Sequence, residues 1–262
     1  MPIGPARMPL FDHLGELRMR LVRIVACLFI AVCVFYWAAP TLITFLLQPI
    51  ADLMPHDVTG EAMLISLDPF ETFATNFKVA LWASVVTCSP IILWQILAFF
   101  LPALRPKERK WFLPAFAVGV ALFIAGTVFC YCIILHPAFE FLTTQGEGYA
   151  TLAARASSFT DTIIKFELGF GFAFELPLVV FFLVVGNIVP YKKLRGAWRT
   201  VYVVLMVLSA MITPDASPVT MMLLFAAMIA MYEVSLLVSR VILAKRIKKQ
   251  NEEMAAEEAE EA

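Results

Sequence analysis

Apolar residues dominate this chain in long runs, and its charged positions cluster between them. A helix needs about twenty apolar residues to cross a hydrocarbon core roughly 30 Å thick. Six runs approach or exceed that length: Val22 to Ala39, Phe73 to Leu101, Trp111 to Leu135, Ile163 to Val189, Ala197 to Ile212 and Val219 to Val238. The pattern predicts an all-α integral membrane protein with six transmembrane helices. The second run carries no charge from Val79 to Leu104 and is long enough to tilt or protrude. The fifth is short, so the fifth and sixth helices, joined by the tight turn Thr213 to Pro218, form a shallow hairpin. Ahead of the first run, Leu10, Leu14, Leu17 and Leu21 recur at helical spacing, while Asp12, Glu16, Arg20 and Arg23 line another face. This stretch reads as an amphipathic helix in which Glu16 and Arg20 are placed for an i,i+4 pair. Taken alone, it is most simply an orientation device with a charge-balancing glutamate.

Lysines and arginines alternate between the two sides. Arg7, Arg18, Arg20 and Arg23 precede the first helix; Arg105, Lys107, Arg109 and Lys110 follow the second; Lys192, Lys193, Arg195 and Arg199 follow the fourth; Arg240, Lys245, Arg246, Lys248 and Lys249 follow the sixth. By the positive-inside rule these ends are cytoplasmic, and so are both termini. The other side holds Lys78, Arg155 and Lys165 among many acids. Its two longer connections, about Pro40 to Glu71 and His136 to Asp161, are expected to pack as caps. Residues 1–250 read as one transmembrane domain, and 251–262, almost all Glu and Ala, as a disordered cytoplasmic tail.

Composition agrees with this reading. Of 262 residues, 61% are hydrophobic and 16% charged, where a soluble domain has about a quarter charged. The net charge of -1 conceals the alternation just described and decides nothing by itself. The first apolar run follows a polar helix and lacks a small-residue cleavage site, so it is expected to stay as a membrane anchor. The five cysteines lie in or beside apolar runs and read as small hydrophobes without metal-site spacing. No nucleophile with its base, no phosphate-cradling glycine loop and no metal constellation is apparent, which points away from an enzyme, a cofactor or a nucleic-acid partner.

Polar residues inside the runs carry the chemistry. Glu175, in FAFELPL, lies about 14 Å along its helix from Phe166 at 1.5 Å per residue. A mid-membrane acid costs roughly 2.5 to 3.5 kcal/mol on insertion scales and so faces a cavity or a partner by default. Pro177 denies a hydrogen bond to the carbonyl of Ala173 and should kink the fourth helix beside Glu175. A protonated glutamate bonded within its own bundle is the plainer alternative. Pro90 should bend the second helix likewise, giving a concave bundle, and Gln95 is expected to make an interhelical hydrogen bond. Glu167, nearer the external interface, is expected to be hydrated. Glu108 sits among four cations in LPALRPKERKW and shares a membrane face with Glu16. Two carboxylates there suit a cationic peptide, since a guanidinium is a planar fork matched to carboxylate oxygens.

HLGELRMR at His13 to Arg20, SPIILWQILAFFLPAL with KERK at Ser89 to Lys110, FELPL at Phe174 to Leu178 and TPD at Thr213 to Asp215 together resemble, in order and spacing, the TatC family of the twin-arginine protein translocase. The resemblance implies recognition of paired-arginine signal peptides on folded precursors at the cytoplasmic face of a bacterial inner membrane. It implies that Glu16 and Glu108 bind the arginine pair, with Arg18 and Phe99 in the signal-peptide site, and the Pro102 region matches another position important in the family. Glu175 and Pro177 would line a concave face where single-helix subunits of the TatA or TatB type dock within a multimeric complex. Pro49 and Asp215 match further positions important in the family, and the energy source would be the proton-motive force. The rival readings are a secondary transporter for a small solute with Glu175 as carrier, disfavoured by the absence of an internal repeat, and a passive membrane scaffold.

Overall fold

A computed structural model describes residues 10–55, 65–100, 112–144, 155–185, 189–213, 217–242 and 244. The described residues are helical almost throughout: α1 (Leu10–Leu47), α2 (Pro69–Phe100), α3 (Phe112–Phe129), α4 (Leu135–Thr144), α5 (Ala156–Ala173), α6 (Leu176–Val185), α7 (Tyr191–Gly196), α8 (Trp198–Ile212) and α9 (Pro218–Ile242). Five stretches are long and apolar enough to cross a membrane: Gly15–Leu53, Pro69–Phe99, Phe112–Thr144, Ala156–Val185 and Pro218–Ile242. The shorter α8 spans only about 22 Å at 1.5 Å per residue, whereas α9 is long enough to cross.

The amphipathic stretch and the first apolar run form one continuous helix, because nothing between Leu10 and Leu47 stops it. Pro40 lies inside α1, near its far end. α1 packs mainly along α2 and leaves most of its surface outward. Phe29, Ile30, Val34 and Trp37 are exposed on it, Trp37 to 88%. An apolar face of that extent is compatible with lipid as the solvent.

α5 is the centre of the bundle, contacting α1, α2, α3, α8 and α9. Ile163, Phe166 and Phe170 of α5 are buried with Val79 and Trp82 of α2, Leu135 of α4 and Leu224 and Met228 of α9. Glycines bring α3 and α5 close. A Cβ at Gly126 would stand 2.7 Å from the Phe170 carbonyl oxygen, and one at Gly171 would stand 2.9 Å from the Phe123 ring.

Prolines mark the irregular points. α2 runs through Pro90 without a break, and the Ser89 hydroxyl donates at 2.8 Å to the Val86 carbonyl that Pro90 cannot serve. Between α3 and α4 a π-helical turn, Cys130–Ile134, precedes Pro137. The fourth sequence run is divided into α5 and α6 at Phe174 and Glu175. There, Glu175 N–H donates to Phe172 and Leu178 N–H to Glu175, tightening the turn beside the Ala173 carbonyl that Pro177 leaves without its helical donor.

Away from the cation-rich end, polar contacts tie the connections down. The Arg155 guanidinium grips both oxygens of Glu71, at 2.7 and 3.1 Å, and Lys78 pairs with Asp161. Leu67 N–H also donates to Glu71, and Ala156 N–H to the Ile65 carbonyl. Tyr131 donates to the Phe45 carbonyl, and His136 meets Asp52 at 3.0 Å. Ile50 and Met54, in and just after a 3-10 turn (Gln48–Leu53), are buried, so this part of the first connection packs as a cap. Two of the three cations on this side, Lys78 and Arg155, are thus held by acids.

Candidate functional site

Glu16 lies in the first turns of α1, and its expected partner is in place. Arg20 donates through Nε at 3.1 Å and through Nη2 to the same oxygen, Glu16 Oε1. Four residues bring both side chains to one stripe of the helix. Arg20 Nη1 reaches across to α2 and donates to Gln95 Oε1 at 3.2 Å. The interhelical hydrogen bond expected of Gln95 is therefore made, with Arg20 as donor. The second oxygen, Glu16 Oε2, is buried and has no hydrogen-bond partner among the described residues. Arg18 and Arg23, on neighbouring faces, are exposed. A carboxylate is an acceptor matched to guanidinium donors, and one oxygen of this one already serves such a donor.

Phe99 lies at the end of α2, on the same end of the molecule as Gln95, and is partly buried. Glu108 and Pro102, between α2 and α3, and Asp215, between α8 and α9, lie outside the described residues. Pro49 sits at the start of the 3-10 turn that follows α1, where its fixed φ suits the turn and its missing N–H costs nothing.

Glu175 stands at the α5–α6 break, 8% exposed, with neither carboxyl oxygen hydrogen-bonded among the described residues. The reading of a glutamate bonded within its own bundle is thereby corrected: no described residue donates to it. Space for it comes from Gly119 on α3, where a Cβ would stand 3.4 Å from Glu175 Oε2 and 2.9 Å from Leu178 Cδ2. Pro177, partly buried, sets the break that turns this side chain against α3. A buried carboxyl without a donor is costly.

Two acids have surroundings not foreseen from the sequence. Glu167 is 2% exposed rather than hydrated. It projects from α5 toward the Trp82 indole, whose buried N–H makes no regular hydrogen bond. The stagger of α5 against α2 decides this, and hydropathy alone does not report it. Glu233, inside the apolar run of α9, accepts from Arg195 at 2.7 Å and from Tyr202 at 2.8 Å, and Tyr232 donates to the Leu194 carbonyl at 2.9 Å. These bonds fasten the α6–α8 connection to α9 and hold the Arg195 guanidinium firmly protonated. The signal was present as an acid inside the apolar segment MYEVSLL.

The model of the family "Sec-independent protein translocase protein (TatC)" matches residues 12–226. TatC of Deinococcus radiodurans is 35% identical over 237 residues, covering 90% of this chain and 87% of that protein. TatC of Aquifex aeolicus is 32% identical, covering 93% and 98%. A crystal structure of the twin-arginine translocase receptor TatC superposes with a TM-score of 0.75 at 29% identity, covering 87% of this chain and 98% of that one. The matched span takes in both Glu16 with its Arg20 partner and the Glu175 break. With its several membrane-spanning apolar helices, the chain belongs to the TatC family of Sec-independent protein translocase proteins.

Proposed function

We propose that this chain recognises paired-arginine signal peptides of folded precursors at the cytoplasmic face of a bacterial inner membrane and nucleates the export complex. The observation that carries this reading is the Glu16 carboxylate, which already accepts a guanidinium through one oxygen and has no partner for the other among the described residues. Glu108 is the second acid of the site, Arg18 and Phe99 flank it, and the apolar part of the signal peptide lies along the bundle. The solved relative, a twin-arginine translocase receptor, supports the same role.

In this proposal both termini are cytoplasmic, residues 1–250 form the transmembrane domain and 251–262 an acidic tail. Glu175, with Pro177 shaping its turn, receives a single-helix subunit of the TatA or TatB type that brings the missing hydrogen-bond donor into the bilayer. Pro49 and Asp215 support the connections at the opposite face. Charge-assisted hydrogen bonds contribute about 1.5 to 3 kcal/mol when partly desolvated, so Glu16 and Glu108 should matter more for recognition than for folding. Membership in a protein translocase family leaves the small-solute carrier without support.

Crosslinking a twin-arginine precursor to the wild type and to the Glu16→Ala and Glu108→Ala proteins tests the site. Loss of the crosslink at normal protein levels is expected in both variants. Undiminished crosslinking in both would remove the site.

A further inference from the structure

Two of the acceptors that a foreign arginine would seek, Glu16 Oε1 and Gln95 Oε1, are occupied by one of the chain's own, and Glu16 Oε2 is buried while Arg20 is in place. Glu16 Oε1 takes two N–H groups of Arg20, and Gln95 Oε1 on α2 takes a third. One guanidinium thus bridges two helices through its planar fork. Arg20 is among the better shielded side chains of its neighbourhood, at 17% exposure, while Arg18 and Arg23 are exposed.

We infer that Arg20 is a resident guanidinium which a signal-peptide arginine must displace, and that its two-helix grip makes the exchange selective for arginine over lysine. This rests on the reading of Glu16 as an arginine acceptor. An entering guanidinium can reproduce the three bonds to Glu16 and Gln95, so the exchange is nearly balanced and the remaining contacts of the signal peptide decide it. A lysine ammonium is a compact point charge without the planar fork. It can meet Glu16 or Gln95, but it leaves part of the pairing unmade. The displaced Arg20 has exposed neighbours on its own helix and passes into water. The resident pair therefore sets a threshold that isolated cations on other peptides do not cross.

Titration of a fluorescent twin-arginine signal peptide and its twin-lysine counterpart into the full chain, held in its native complex in membranes, tests this. Arg20→Ala should tighten binding of the arginine peptide by about threefold, the scale of an i,i+4 ion pair on a helix. It should narrow the arginine-to-lysine preference by a larger factor. Arg20→Gln, which keeps helix propensity and a donor for Gln95, should shift both in the same direction. If both variants weaken arginine binding as Glu16→Ala does, Arg20 positions the acid and is no competitor, and the inference falls. It falls equally if neither affinity nor preference changes. Should Glu16→Ala itself leave arginine binding intact, the reading of Glu16 fails, an outcome separate from the other two.

Discussion

Glu175 keeps two buried oxygens without a donor among the described residues, at a point where Pro177 has opened the helix. Leaving a buried polar group unsatisfied costs about 1 to 3 kcal/mol, more when it is charged. Glu175→Leu should therefore raise the thermal midpoint of the isolated chain in detergent and, in native membranes, reduce its crosslinking to a single-helix subunit. A lowered midpoint would show that the carboxyl is satisfied within the chain. This residue was legible in sequence because an acid and a proline two positions apart are both conspicuous in an apolar run. The burial of Glu167 was not, since it depends on α5 turning that side chain toward Trp82. Glu16 and Arg20 announced their pairing through local spacing, whereas Gln95 as the third member needed the α1–α2 packing.

At the scale of elements, hydropathy runs give the helices almost to their ends, while the joints follow from contacts between distant segments. α1 extends well beyond its apolar run on both sides, because helix formation ignores where the bilayer begins. The clasp of Glu71 with Arg155 joins residues 84 apart, and no pattern along the chain foretells it. The α3–α5 contact is the most demanding. At Gly126 a Cβ would meet the Phe170 carbonyl oxygen at 2.7 Å and Phe174 Cβ at 3.0 Å, groups that cannot swing aside. At Gly119 it would meet the ends of the Leu178 and Glu175 side chains, which can. Gly126→Ala should therefore destabilise the chain by about 1 to 3 kcal/mol, the cost of overpacking, and Gly119→Ala by clearly less. Thermal unfolding of the two variants in one detergent checks the order, and equal midpoints would contradict the close approach.

At the scale of the whole molecule, charge has two destinations. One end gathers Arg18, Arg20, Arg23, Lys192, Lys193, Arg195 and Arg199. The other sets Lys78 and Arg155 against acids. Glu16 is an acid at the cation-rich end, and in the proposed function its carboxylate and that of Glu108 convert this otherwise repulsive surface into a receptor for arginines. Long-range electrostatics would keep a basic peptide away, so recognition must come from short, directional bonds. A double-mutant cycle isolates such bonds. It pairs Glu16→Gln in the full chain with replacement of one signal-peptide arginine by glutamine, reading the peptide dissociation constant in native membranes. If Glu16 holds that arginine, the second change should add little to the first, leaving a coupling of about 1.5 to 3 kcal/mol for at least one of the two arginines. Additive losses for both arginines would contradict the account.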